Sequence, residues 1–185
     1  IVSNLFGQKI QTVISESVFP YYPNSKETYT YDGNGYLVSV LRELWNSGTS
    51  SWGPNSKKTY SNNNNGTVNQ IVTQSWKDSS KSFRDSEKIT YTYNSVSKIL
   101  MTTTELWNGS NWENYIRYSS TYDSNGLLIN YITELSNSYA STPYWYSFSR
   151  KNYTNNSNGT VDTLTEQNSF DEGITWKDQY RTVYT

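Results

Sequence analysis

The sequence predicts an all-β protein, an antiparallel meander of tandem β-hairpins with about 31 residues per unit. Three observations predict it. A Tyr/Thr-rich run that ends in a turn recurs down the chain, as in Tyr29-Thr30-Tyr31-Asp32-Gly33-Asn34-Gly35 and Thr121-Tyr122-Asp123-Ser124-Asn125-Gly126. Basic residues Lys26, Lys57, Lys88, Arg117, Arg150 and Arg181 stand at intervals of 31, 31, 29, 33 and 31. Five places before them stand Tyr21, Trp52, Phe83, Trp112, Trp145 and Trp176. Self-similarity at a fixed period is the mark of a repeat architecture. No stretch carries the 3.6-residue apolar period and the caps of a helix.

In chain order, a half unit covers residues 1–20, where Ile10 matches Leu37 and Glu16 matches Glu43. Units follow at about 21–51, 52–82, 83–111, 112–144 and 145–175, and residues 176–185 open another half unit. All belong to one repeat domain, residues 1–185. The chain starts at Ile1 without a signal-like segment, so the expectation is a processed product or an excised piece of a longer array.

Each unit reads as two strands joined by a turn. Asn34-Gly35 predicts a two-residue type I′ turn, which needs positive φ at both central residues. Val96-Ser97 in the third unit suits that turn poorly. With Asn34-Gly35 as the loop, Gly33 faces Tyr36 and Lys26 faces Glu43. The same counting sets Lys57 against Gln74, Lys88 against Glu105, Arg117 against Glu134 and Arg150 against Gln167. Such cross-strand pairs contribute roughly 0.2–1 kcal/mol each.

The alternation of a strand then sorts the first unit into two faces. One carries Tyr21, Lys26, Thr28, Thr30, Leu37, Leu41, Glu43 and Trp45; the other carries Tyr29, Tyr31, Val38, Val40 and Leu44. Both are mixed, which predicts that both are partly covered, by curling, by closure into a barrel or by extension as an array.

Composition narrows the function more by exclusion than by assertion. A formal net charge of −1 gives no basic footprint for nucleic acid. No apolar run approaches the roughly 20 residues of a membrane span. Without His or Cys, catalysis would fall to a unique carboxylate pair or an activated hydroxyl, whereas Glu43, Glu105 and Glu134 recur at one ladder position. The expectation is a non-catalytic protein that takes no cofactor. Asp32-Gly33-Asn34-Gly35 faintly resembles a calcium loop, but no Glu follows at the loop spacing, so its polar residues read as turn formers and no metal is expected.

The candidate ligand contacts are aromatic. Trp45, Trp52, Trp76, Trp107, Trp112, Trp145 and Trp176 fall near the connections between units. Tyr139 and Tyr144 lie with Trp145 in the least regular loop. Such rings can stack on a glycan or dock a surface protein; equally, each Trp can pack on a ring of the next unit and hold the loops down.

The units Tyr29–Gly35 and Trp107-Asn108-Gly109-Ser110-Asn111-Trp112 resemble tandem repeats of secreted Bacteroidota-type proteins. The likeness covers nearly the whole chain and weakens at Val96-Ser97 and at Ser136, where Trp is expected. A more distant similarity is to the tyrosine–aspartate repeats of Rhs-type shell proteins, whose units are shorter. The resemblance implies export, often by a type IX system, a place outside the cell or on its surface, and no assured activity. It also makes Thr163, in Asp162-Thr163-Leu164, a candidate O-glycosylation site. The functions expected are an extracellular adhesin, spacer or interaction scaffold, then a carbohydrate-binding module, then part of an Rhs-like enclosing shell. Further repeats of the same chain are possible partners.

Overall fold

The structure, a computed structural model, describes residues 9–16, 23–138, 140 and 142–184. Among them are no helices and twelve strands: β1 Thr12–Glu16, β2 Pro23–Tyr31, β3 Leu37–Asn46, β4 Ser51–Asn62, β5 Val68–Lys77, β6 Ser82–Tyr93, β7 Ile99–Trp107, β8 Trp112–Tyr122, β9 Leu128–Asn137, β10 Tyr144–Asn155, β11 Val161–Asn168 and β12 Lys177–Val183. Their hydrogen-bonded order is the chain order, β1 through β12, so the meander is open and not closed into a barrel. The chain divides into two compact units, Ile1–Lys88 and Ile89–Thr185.

The turn differs from the expected one. Gly35 N donates to Asp32 O (3.0 Å) and Asp32 N to Tyr36 O (2.9 Å). Gly35 has φ +84°, while Asn34 is not at positive φ. This is a three-residue loop, a type I turn closed by a bulge, and Gly33 lies within it instead of facing Tyr36. The physical reason is economy: one positive φ suffices, where type I′ demands two. The Asp32 side chain adds to this, its Oδ1 accepting from Tyr36 N at 2.8 Å. The same pair of backbone bonds closes the turns at Asn63, Asn94, Asp123 and Asn156. Ser97 therefore fits after all, taking the single left-handed position with φ 63°.

The turn alone would shift every pair by one residue, and a bulge takes the shift back. Tyr31 stands opposite Leu37, but Thr30 stands opposite Ser39, leaving Val38 as the extra residue. Asn69, Ile129 and Asp162 are extra at the matching places. Lys26 thus lies opposite Glu43, Lys57 opposite Gln74, Arg117 opposite Glu134 and Arg150 opposite Gln167. Because one residue of slip reverses a side chain's face, the bulge moves Leu37 from the Lys26 face to the Tyr29 face.

A second series of bulges lies on β2, β4, β8, β10 and β12, two residues before the basic residue, at Asn24, Asn55, Tyr115, Phe148 and Gln179. Bulges strengthen local twist, and they take backbone groups off the ladder. Several of those groups are recaptured by the next hairpin. Leu37 precedes the first β3–β4 pair, Ser39 with Thr59, and its carbonyl accepts from Asn62 Nδ2 at 2.9 Å. Tyr31 Oη donates to Ile10 O, Tyr122 Oη to Ile99 O and Asn155 Nδ2 to Leu128 O, at 2.9–3.0 Å. Each such bond contributes about 1 kcal/mol.

Among the described residues no apolar side chain is buried; the buried ones are Ser25, Thr104, Thr133 and Ser169. On both faces of the first unit apolar side chains such as Leu41 and Trp45, or Val38 and Val40, are half-buried. Cohesion instead runs within the plane of the sheet, from ladder to ladder and from side chain to neighbouring side chain.

Candidate functional site

On the Lys26 face, three inter-hairpin connections each bring two aromatic rings together. Trp45 and Trp52 stand opposite one another, with ring centroids 5.2 Å apart and planes at 71°. Trp107 and Trp112 repeat this at 5.2 Å and 64°, and Trp76 with Phe83 at 5.1 Å and 69°. Edge-to-face pairs add about 0.5–1.5 kcal/mol to the area they bury. All seven Trp side chains are half-buried.

The basic residue of one hairpin then reaches the aromatic of the next. Lys26 Nζ lies 5.4 Å from the Trp52 ring, Arg117 Cζ 4.8 Å from Trp145 and Arg150 Cζ 4.2 Å from Trp176. These are cation–π distances, so in these three rings part of the surface that could stack on a ligand carries a cation. Trp145 stands opposite Ser136 instead of another ring, and the enclosed Ser136 hydroxyl has no hydrogen-bond partner among the described residues.

The same cations hold the acids. Lys26 Nζ is 2.6 Å from Glu43 Oε2. Arg117 grips Glu134 with two parallel bonds, Nε to Oε2 at 2.7 Å and Nη2 to Oε1 at 2.8 Å, and this bond raises the pKa of the Arg117 guanidinium. Arg150 Nε donates to Gln167 Oε1 at 2.6 Å, and Gln167 Nε2 passes the chain on to Asp178 Oδ1 at 2.6 Å. Gln74 Nε2 likewise donates to Asp85 Oδ1 at 2.8 Å. Sequence reasoning missed these third members. The signal was present: where the middle residue is Gln74 or Gln167, an Asp stands three places before the next basic residue, at Asp85 and Asp178. Where it is Glu43 or Glu134, the residue opposite is Pro54 or Ser147. Each of these rows holds one cation and one anion.

Of the irregular loop, Tyr139 lies outside the described residues. Tyr144 accepts from Asn137 Nδ2 (3.2 Å) and donates to Glu172 (2.9 Å), so its hydroxyl ties two loops together. Nearby, Asp171 accepts from the Thr175 side chain and backbone and from Ser169, which holds its pKa down at about 2. Thr163 Oγ1 donates to Asp162 at 3.2 Å and is half-buried. Lys88 and Glu105 fall in different units of the chain. Among the described residues no three acidic side chains gather as metal ligands.

The opposite face is a band of tyrosines. Tyr118 stacks on Tyr131 at 5.7 Å and 21°. Tyr29 donates to Glu27 Oε2 at 2.6 Å, which pushes the phenol up to about 12.

No family model matches the chain, and no curated protein matches it. Solved structures do. A protein of unknown function from Bacteroides fragilis has a TM-score of 0.52 at 17% identity, over 66% of this chain and 88% of its own. A DUF3836 family protein from Parabacteroides distasonis is 23% identical over 48% of this chain and 87% of its own, with a TM-score of 0.37. The TcdB2-TccC3-Cdc42 structure gives 0.46 at 14% identity, over 86% of this chain and 9% of the other. The first of these likenesses shows a shared fold.

Proposed function

We propose that the chain is a non-catalytic extracellular or cell-surface repeat domain, an interaction scaffold of the adhesin or spacer kind, akin to the secreted Bacteroidota-type repeats it resembles. The observation that carries this reading is the deployment of its charged groups. The acids at the ladder position are bound to the basic residue of their own hairpin, as in Lys26–Glu43 and Arg117–Glu134. A general acid or nucleophile has to be unique and poised toward a substrate; these are repeated and directed at neighbours. On both faces of the sheet, meanwhile, the described apolar side chains stay partly exposed, as suits a protein whose surfaces meet partners.

The test has two arms. Intact cells producing the native gene are treated with an external protease, and the purified chain is assayed against glycoside, ester and peptide substrates. Surface cleavage without turnover is the expected result. Turnover that disappears in Glu43→Gln or Glu134→Gln would overturn the non-catalytic reading.

Carbohydrate binding through the tryptophans is a second reading, supported by their half-exposure. It predicts quenching of Trp fluorescence by at least one member of a glycan panel. A flat response throughout would remove it.

A further inference from the structure

On the Tyr29 face of the first unit, one place departs from the repeat in a direction that packing does not require. Arg42 stands opposite Glu27 on one side and Ser56 on the other, and Lys58 stands opposite Val40. Arg42 and Lys58 are thus diagonal neighbours, roughly 7–8 Å apart at the backbone. In the next three hairpins the position of Arg42 is filled by Thr73, Thr104 and Thr133, and in the fifth by Glu166. The fold therefore accepts a small hydroxyl residue here. Arg42 and Lys58 are both exposed, and among the described residues neither has an ion-pair partner. The nearby carboxylate, Glu27, is engaged by the Tyr29 hydroxyl. The contrast lies in the fifth hairpin, where the equivalent Lys151 is 3.2 Å from Glu166 and so neutralised.

These two cations rim a concavity of about 230 Å³. Its apolar lining comes from Leu37 and Val40 and its aromatic lining from Tyr29 and Tyr60; the Glu27 carboxylate, which accepts from the Tyr29 hydroxyl, lines it too, so two cations face one anion. Leu37 reaches this face only because of the bulge at Val38. The volume suits a single small ring, not a chain segment. Aromatic and aliphatic surface favours the apolar face of a ring. A guanidinium fork favours a carboxylate, which it can grip with two parallel bonds. The Ser56 hydroxyl adds a donor and an acceptor of the kind that ring hydroxyls use.

We propose that this concavity binds an acidic sugar, a pyranose ring carrying a carboxylate, with Arg42 and Lys58 on the carboxylate and Tyr29 and Tyr60 against the ring. The site lies on the face opposite the tryptophans and does not depend on glycan binding there. Because both cations are exposed, binding weakens as salt is added.

The test uses the whole chain and three probes: a galacturonic acid trisaccharide, the neutral trisaccharide maltotriose, and sodium sulfate. Binding is followed by calorimetry and by the NMR signals of the Arg42 side chain and of the Tyr29 and Tyr60 rings. The variants are Arg42→Thr and Lys58→Thr, the former placing in this hairpin the residue its sisters carry, with circular dichroism to show that the fold is kept. The expected result is that the acidic sugar alone shifts the Arg42 and tyrosine signals, and that Arg42→Thr weakens it about tenfold or more, the effect of losing one charge-assisted partner. Equal binding of maltotriose, equal binding to Arg42→Thr, sulfate binding as well as the sugar, or no binding of any probe would each overturn the proposal. Undiminished binding of the acidic sugar to Tyr60→Ala, with the Arg42 shift retained, would reassign the pocket to a bare anion and overturn the sugar part.

Discussion

Two rows of the second unit solve the same electrostatic problem differently. In one, Arg117 meets Glu134 directly, and Ser147 stands beyond. In the other, Arg150 meets the neutral Gln167, and the negative charge sits one strand further on, at Asp178. Both rows carry one cation, one anion and a third, uncharged residue. The difference teaches that the repeat preserves the charge balance of a three-strand row and not the identity of a pair. Gln167 is suited to the middle place because an amide accepts on one side and donates on the other. A carboxylate there could only accept, and it would face Asp178 with a like charge.

The largest effect should come from breaking the direct pair. In Glu134→Gln the row keeps its cation but holds no anion, and the two-bond grip on Arg117 falls to one bond at most. Both side chains are largely sheltered, at 27% and 15% exposure, so a loss of about 1–2 kcal/mol is expected in denaturant unfolding. Trp145, over which Arg117 lies, should report the change in its emission. The Lys151–Glu166 pair is more open, at 42% and 36%, and Glu166→Gln should cost less, about 0–1 kcal/mol.

How much of this was legible follows from what each feature needs. The opposition of Lys26 and Glu43 could be read because it depends on a spacing that recurs. The turn itself could not, because Asn34-Gly35 satisfies type I′ and also the last two places of a three-residue loop. What separates the two is Asp32, whose carboxylate is bonded to Tyr36 N, and Ser97, which tolerates one left-handed residue where two would be forced. The bulge at Val38 was invisible for a related reason: a one-residue error at the turn and a one-residue bulge cancel in every pair beyond them. They fail to cancel only at Leu37, which is why that residue changed faces. The rim tryptophans could be read as a cluster, but the cations lying over Trp52, Trp145 and Trp176 belong to the preceding hairpin, a partnership that no local pattern displays. The absence of any buried apolar side chain among the described residues was hidden by the alternation rule, which presumes a core for one face to join.

A smaller effect, with a pH signature, comes from putting the wrong acid in the relay. Gln167→Glu gains an ion pair with Arg150 but loses the bond to Asp178 and sets two carboxylates side by side. A net cost of about 0.5–1 kcal/mol at neutral pH is expected. Like charges at close range raise the pKa of one member, so the folded state binds a proton more readily than the unfolded chain does. The cost is therefore present above that raised pKa and shrinks as the pH falls through it. A penalty that is flat from pH 7 to pH 4 would mean that the Gln167–Asp178 contact matters for its hydrogen bond and not for its charge.

The smallest effect should be the most instructive. Adding Asp178→Ser to Gln167→Glu rebuilds the Arg117–Glu134–Ser147 row at the neighbouring position. If the row is the conserved quantity, the second substitution rescues the first, and the double variant unfolds within about 0.5 kcal/mol of the parent, with a coupling between the two changes of about 0.5 kcal/mol or more. Simple addition of the single effects would instead show that Asp178 acts on its own, through β12. The rows would then be separate pairs that happen to share a strand.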